Sequence, residues 1–223
     1  MKSVAIIGYL AGLLALIPLL TVLWSPEQES FHASGPANTG HETLSCIDCH
    51  RNAPGSLRQQ VQANVRYWLG VRSKPADFQF LPVTNKECIV CHDRPKDNHP
   101  AHRFLEPRFA EARANISAHQ CVSCHREHQG VRVTIEATFC VNCHQKLKLK
   151  KDPLPVFSHA QLIEGKKWAT CMSCHDFHGN HIMKVTTSLH KGVKQKQIID
   201  YFKGGPSPYS ENKHYSAKEK TNE

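Results

Sequence analysis

No cysteine of this sequence lies outside one repeated five-residue pattern, and methionine is scarce. All ten cysteines belong to five copies of Cys-x-x-Cys-His, and three methionines occur in 223 residues. The formal net charge is +9, yet no stripe of basic residues is interleaved with aromatic residues as on nucleic-acid surfaces. Nucleic acid is therefore excluded as a partner, and every thiol has to be explained by the pattern.

The five copies of the pattern fall within residues 46–175. They are Cys46-x-x-Cys49-His50, Cys88-x-x-Cys91-His92, Cys121-x-x-Cys124-His125, Cys140-x-x-Cys143-His144 and Cys171-x-x-Cys174-His175. A thioredoxin-like redox pair needs neither the histidine nor further copies, and zinc sites built from such pairs use two each, which leaves one copy unmatched. The pattern is typical of c-type haem attachment, in which both thiols form thioethers and the histidine ligates iron. The sequence therefore predicts five covalently attached haem c groups.

Histidines outside the pattern are candidates for the second axial ligand of each iron. Five of the 16 histidines belong to the pattern, and five of the remaining eleven are needed if every iron has two histidine ligands. The second ligand approaches from the face opposite the attachment helix, so a histidine three residues after a motif histidine is expected to serve a neighbouring haem. The distal candidates are His41, His102, His119, His128, His159 and His178.

Methionine ligation is nearly excluded by position. Met1 is terminal, Met172 lies inside an attachment loop, and Met183 alone could reach an iron. Because methionine ligation raises the reduction potential, ligation by two histidines predicts low-potential haems. No motif indicates an iron with an open position, so no catalytic residue is predicted and an electron carrier is favoured over an enzyme. The alternatives are a quinol dehydrogenase and a reductase of small nitrogen or sulfur oxyanions with one open haem.

The predicted fold class is mainly irregular with short α-helices, a multihaem cytochrome c wrapped around five covalently bound haems, plus one N-terminal transmembrane helix. The haem-bearing part has roughly 33 residues for each haem, too few to build an ordinary core around every one. One helix is expected to begin at Ser56, from the helical spacing of the apolar residues Leu57, Val61, Val65 and Trp68, and another at Ser158, where Gln161 completes a capping box. The short spacing between Cys121 and Cys140 predicts that their two haems are nearly in contact.

Residues 4–24 carry no charge and would form a helix about 31 Å long, enough to cross a bilayer. Lys2 precedes this run and Glu27 and Glu29 follow it, which predicts a cytoplasmic N-terminus. No Ala-x-Ala-like site ends the run, so an uncleaved anchor is favoured over a cleaved signal peptide. The predicted location is the inner membrane, with a single pass and the haem domain on the periplasmic side.

These features divide the chain into four segments. They are a membrane anchor or signal peptide (1–24), a linker (25–39), a pentahaem cytochrome c domain (40–190) and a lysine-rich C-terminal segment (191–223), flexible from about residue 204. The last of these has glycine, proline and lysine but offers little to bury.

The chain resembles the small multihaem cytochromes c of the cytochrome c3-like type. More narrowly, it is similar to the pentahaem periplasmic cytochromes that deliver electrons to the cytochrome c nitrite reductase. The resemblance covers residues 88–178 and rests on Cys91-His92, Arg103-Phe104-Leu105-Glu106-Pro107, Cys121-Val122-Ser123-Cys124-His125 and Cys171-Met172-Ser173-Cys174-His175-Asp176-Phe177-His178. It implies a role in anaerobic respiration, with a quinol-linked membrane donor and a terminal reductase or oxidase as partners. The apparent anchor and the lysine-rich tail depart from that family.

Membrane-anchored multihaem quinol oxidases are a weaker match. In those proteins a methionine usually follows the first attachment site closely, whereas here His50 is followed by Arg51-Asn52-Ala53-Pro54. Direct quinol oxidation therefore ranks second.

Overall fold

A computed structural model describes residues 2–24 and 33–218, so parts of the predicted linker and C-terminal segment lie outside the described residues. The α-helices are α1 (Lys2–Trp24), α2 (Cys46–Cys49), α3 (Leu57–Trp68), α4 (Asn85–Cys91), α5 (Ala110–Ile116), α6 (Val141–His144), α7 (His159–Glu164), α8 (Cys171–Cys174) and α9 (Gln195–Phe202). Turns of 3-10 helix lie at Ala101–Leu105, Pro107–Phe109, Cys121–Ser123, Trp168–Thr170 and Leu189–Lys191. Within the described ranges no β-strand is present, and two isolated bridges join Asn52 with Phe80 and His181 with Lys213.

Two of these helices, α3 and α7, begin where the sequence predicts. The hydroxyl of Ser56 accepts a hydrogen bond from the Gln59 N–H at 3.4 Å, and that of Ser158 accepts one from the Gln161 N–H at 3.2 Å. Each glutamine side chain in turn accepts from the N–H of its serine, at 2.8 Å and 2.9 Å. These reciprocal bonds satisfy N–H groups that a helix start otherwise leaves without partners, and the two predicted helix starts are confirmed.

The predicted fold class is wrong in its transmembrane helix. Over residues 2–24 and 33–218, no helix combines the length and the apolar character that crossing a membrane requires. The prediction was based on the absence of charge in residues 4–24, which makes a run only a candidate for a membrane span.

Few apolar side chains are buried among the described residues. Those that are buried are Ala53, Phe104, Ala112, Met172, Cys174 and Ile198. Interiors of ordinary domains are packed closely with side chains. The apolar side chains of residues 33–218 therefore do not form a closely packed core. Many of them line a cavity instead.

The C-terminal segment predicted to be flexible from about residue 204 packs against two attachment motifs. The Tyr209 hydroxyl donates a hydrogen bond to the carbonyl of Met172 at 2.9 Å, and the Lys218 N–H donates to the carbonyl of Cys91 at 2.9 Å. The attachment turns present backbone carbonyls that need partners, and this segment supplies the donors.

Candidate functional site

All five Cys-x-x-Cys-His motifs adopt the same turn. In each of them the histidine N–H donates a hydrogen bond to the carbonyl of the first cysteine, over 2.8–3.0 Å. A hydrogen bond between residues four apart closes one turn of α-helix. Because residues three and four apart share a helix face, this turn brings both thiols and the imidazole of each motif close together.

Each motif histidine faces one histidine from elsewhere in the chain. The ring centroids of the five pairs are 5.8–6.4 Å apart. The pairs are His50 with His128, His92 with His41, His125 with His178, His144 with His99, and His175 with His159. Two histidine nitrogens on opposite sides of a metal, each about 2.0–2.1 Å from it as in zinc sites, put the ring centroids roughly 6 Å apart. Each pair therefore has the separation that one shared metal ion requires.

Four of the six distal candidates occupy these pairs. They are His41, His128, His159 and His178. In the part of the chain that the structure describes, His102 and His119 face no motif imidazole, and the fifth place belongs to His99.

The sequence analysis missed His99. Its Nδ1 is 2.6 Å from the carbonyl oxygen of Phe177, and its ring stacks on the Phe177 ring at 4.3 Å. His99 and His102 lie three residues apart, and nothing in the sequence around them distinguishes one from the other. The long-range contact with Phe177 selects His99.

Hydrogen bonds orient seven of the ten paired rings. In three rings Nδ1 is hydrogen-bonded to a carboxylate at 2.8–3.0 Å. These pairs are His41 with Glu127, His159 with Asp152, and His178 with Asp97. Nδ1 is bonded to a backbone carbonyl in His50, His99, His125 and His128, at 2.6–3.2 Å. A partner on one ring nitrogen fixes the tautomer and leaves the other nitrogen, Nε2, to a metal.

Burial favours the neutral form of four motif histidines. It lowers the pKa of His92, His125, His144 and His175. A metal binds only the unprotonated imidazole, so a lowered pKa keeps these side chains available as ligands at neutral pH.

The carboxylates that hydrogen-bond to the non-motif histidines of the pairs have electrostatic properties that suit support of a metal ligand. Burial raises the pKa of Asp97, but the hydrogen bond and charge of His178, the His99 N–H and the charge of Arg94 together hold the pKa below its usual value. The hydrogen bond with Glu127 raises the pKa of His41. Ionised carboxylates on Nδ1 increase the electron density that the ring offers through Nε2.

One distal histidine is held in a strained backbone conformation. His128 has φ of 61°, in the left-handed region that residues other than glycine rarely adopt. Its Nδ1 is 3.2 Å from the carbonyl oxygen of Gly35, and a Cβ added at Gly35 would collide with the His128 carbonyl. Strain of this kind persists where surrounding contacts fix the conformation, commonly at functional sites.

Contacts between cysteines place two pairs of motifs side by side. The neighbouring Cys88 thiol lowers the pKa of Cys121, and the neighbouring Cys140 thiol lowers the pKa of Cys171. The second motif therefore lies next to the third, and the fourth next to the fifth. Groups attached through these thiols would be neighbours.

A cavity of about 2310 Å³ connects most of these elements. Its walls include the cysteines and histidines of the second to fifth motifs, with Cys49 from the first. Pockets for a single small ligand are roughly 300–1,000 Å³, so this cavity has room for several ligands of that size.

The residues present fit haem better than a bare ion. Among the described residues no three histidine, cysteine, aspartate or glutamate side chains cluster closely enough to hold a metal ion themselves. A porphyrin supplies four ligands and needs two more from the protein, and each opposed histidine pair offers two. The two thiols beside each motif histidine are the groups that covalent attachment uses.

No family model matches the chain, and no curated protein or solved structure does. The interpretation of the site rests on the motifs and on the geometry of the paired histidines.

Proposed function

We propose that the chain is an exported electron-transfer protein that carries five covalently attached haem c groups. The observation that supports this most strongly is the set of five opposed histidine pairs, each with one member in a Cys-x-x-Cys-His motif. Bound haem would supply an iron that changes reversibly between its ferric and ferrous states.

The residues have separate roles in this proposal. The ten motif cysteines attach the cofactors, and the motif histidines His50, His92, His125, His144 and His175 are the proximal ligands. The distal ligands are His128, His41, His178, His99 and His159, in the same order. Because two histidines of the chain would hold each iron, a substrate would have no direct access to it, which favours a carrier over an enzyme.

The proposed partners are a quinol-linked membrane donor and a terminal oxidoreductase outside the cytoplasm. Two features support them. Ligation by two histidines gives low reduction potentials, which suit anaerobic respiration. The resemblance of residues 88–178 to periplasmic pentahaem electron donors points to the same setting.

Haem content and iron spin state test the proposal. The full chain, produced in cells that attach haem c, is expected to show five haems by intact mass and pyridine haemochrome, and only low-spin ferric signals in electron paramagnetic resonance. A Cys140→Ala, Cys143→Ala double variant should retain four. A chain without attached haem contradicts the proposal, and a high-spin signal that changes with nitrite, sulfite or hydroxylamine would identify a reductase instead.

A further inference from the structure

Helix α3 turns polar side chains towards the rest of the chain and apolar ones outwards. The buried Gln60 accepts a hydrogen bond from the Gln79 N–H at 2.9 Å. Asn64 exchanges two hydrogen bonds with the backbone of Ala76, each at 3.0 Å. Three apolar residues of the helix are instead 41–51% exposed: Leu57, Val61 and Val65. This arrangement is the reverse of the usual surface helix, whose apolar side chains face the core.

The turn that follows α3 presents larger apolar side chains to solvent. Trp68, Leu69 and Val71 are 79%, 72% and 67% exposed. Because α3 has 12 residues and is therefore about 18 Å long, this turn lies well away from Ser56 at the other end of the helix. A cluster of exposed large apolar side chains marks a surface that contacts a partner or a membrane.

Two arginines lie beside this turn. The backbone N–H groups of Val71 and Arg72 both donate to the carbonyl of Arg66, at 2.9 Å and 3.2 Å, so the chain folds back and brings Arg72 next to Arg66. Both arginines line a hollow of about 370 Å³, together with Val71, Gln59 and Gln62. A hollow of this size holds one small ligand, and guanidinium groups bind phosphate oxygens through paired hydrogen bonds.

The charge around the turn has one sign. No acidic residue occurs between Asp48 and Asp77, whereas five basic residues do: Arg51, Arg58, Arg66, Arg72 and Lys74. Arg51 is paired with Glu87, and the other four form no ion pair in the described part of the chain. Tryptophan and leucine beside unpaired arginines are typical of segments that lie in the interface of a membrane.

We infer that the turn after α3 is a docking site for the surface of an anionic phospholipid bilayer. Arg66 and Arg72 bind headgroup phosphates, while Trp68, Leu69 and Val71 enter the boundary between headgroups and acyl chains. A bilayer presents negative charge and apolar chains within about 5–10 Å of each other, as this surface requires. An acidic protein surface fits less well, because it would place carboxylates against three large apolar side chains. The site goes beyond the proposed function, since lipid binding by these residues does not depend on haem.

Docking at this turn brings the first attachment motif towards the membrane. The segment that α3 binds through Gln79 continues into Phe80, whose ring lies 5.5 Å from that of His50, and Leu81, whose carbonyl oxygen is 3.2 Å from Nδ1 of His50. Here the inference rests on the proposed function, because it makes the haem on His50 the one closest to a membrane donor.

Hydrogen–deuterium exchange locates the contact on the full, haem-loaded chain. Vesicles of phosphatidylcholine with phosphatidylglycerol should slow exchange of the backbone amides of residues 66–72, and vesicles of phosphatidylcholine alone should not. Unchanged exchange there in vesicle-bound chain would overturn the inference. The same protection from inorganic phosphate without vesicles would assign the hollow to a free anion, and protection that grows with protein concentration would assign the turn to a second copy. Both would overturn a bilayer site.

Co-sedimentation with the anionic vesicles tests the apolar part of the surface. Trp68→Ser with Leu69→Ser should weaken binding about tenfold, since burial of one large apolar side chain contributes at least that factor. Val156→Ser with Ile199→Ser is the matched control, because both side chains are exposed and lie outside this surface. Equal binding by the two double variants would contradict insertion of the turn.

A second pair of substitutions tests the arginines. Arg66→Gln with Arg72→Gln should weaken binding to the anionic vesicles about tenfold, because each basic residue near such a surface contributes to binding. Lys191→Gln with Lys196→Gln removes the same charge at exposed positions elsewhere and should change it little. Equal losses would show a general charge effect and overturn the headgroup site. Haem content, measured on every variant, tests the proposed function separately.

Discussion

The imidazole rings of His99 and His144 face each other with their centroids 6.1 Å apart and their planes crossed at 83°. His144 ends the fourth attachment motif, whereas His99 lies in the segment after the second. Phe177, which follows the fifth motif, fixes the His99 ring by stacking and by a hydrogen bond to its carbonyl. Three attachment segments therefore meet at this one pair.

Removing His99 is expected to open one iron, whereas removing its near neighbour should not. His99→Ala takes away the ring opposite His144, so one of the five haems should become high-spin. His102→Ala is the matched control, since His102 is exposed and faces no motif imidazole in the described structure. Absorption and electron paramagnetic resonance spectra measure the change. A high-spin signal in His102→Ala and none in His99→Ala would reverse the assignment.

Replacing the carboxylate behind a distal ligand is expected to raise a reduction potential. The Asp97 carboxylate is 2.8 Å from Nδ1 of His178 and increases the basicity of that ring. Asp97→Asn removes the negative charge, so ferric iron loses stabilisation and one potential should rise by tens of millivolts. Asp93→Asn is the control, because Asp93 is exposed and 3.9 Å from Lys218. Equal shifts in both variants, measured by redox titration, would show a general charge effect.

Gly179→Ala is expected to destabilise the fold. Gly179 follows His178 with φ of 67°, and a Cβ there would collide with the side chain of Asn98, between Asp97 and His99. The left-handed backbone alone costs about 1–2 kcal/mol for alanine. Gly70→Ala is the matched control, since Gly70 has φ of 71° with nothing within 4 Å of its Cβ. Denaturant unfolding should show a clearly larger loss of stability for Gly179→Ala, and equal losses would rule out the collision.

Asp176 is expected to contribute to acid sensitivity. Burial raises the pKa of Asp176, but hydrogen bonds from the side chain and backbone of His181 outweigh it and lower the pKa to about 2. A lowered folded-state pKa means that the unfolded chain binds more protons, so this stabilisation is complete above the usual value of 3.8 and is lost as pH falls towards 2. The difference in thermal midpoint between the unsubstituted chain and Asp176→Asn should therefore be largest at pH 7 and shrink by pH 2.5. A difference independent of pH would contradict this linkage.

Local features of the site could be predicted from the sequence. A five-residue motif closes its turn with its own backbone, and Ser56 and Ser158 cap helices through bonds to residues three positions away. Neither depends on the rest of the fold. The histidines three residues after a motif, His128 and His178, lie opposite the rings of other motifs for a similarly local reason, because the attachment turn directs them away from their own motif.

Contacts between distant segments could not be predicted in this way. The contact predicted between the haems on Cys121 and Cys140 stays a prediction, and nothing in the spacing indicated that Cys88 lies next to Cys121 or Cys140 next to Cys171. Chain spacing limits only the largest possible separation between two residues. Likewise the choice of His99 over His102 depends on Phe177, which is remote in sequence.

The angles between paired rings predict that the haems differ in their magnetic signatures. Each axial imidazole raises the energy of the iron d orbital that its π system overlaps. Two nearly parallel rings act on the same d orbital, so that orbital moves away in energy from its partner and the low-spin spectrum is rhombic. Two crossed rings act on one orbital each, so the two orbitals stay close in energy and the spectrum has one large g value. The rings of His50 and His128 are 23° from parallel and those of His125 and His178 are 25° from parallel, against 83° for His99 and His144.

The large-g signal is therefore expected from the haem on the fourth motif, and rhombic signals from those on the first and third. Deleting one attachment site at a time assigns them. Cys140→Ala with Cys143→Ala should abolish the large-g signal and leave the rhombic ones, whereas Cys46→Ala with Cys49→Ala should remove a rhombic signal and leave the large-g one. A large-g signal that survives loss of the fourth motif would mean that His99 and His144 do not bind one iron with their rings crossed.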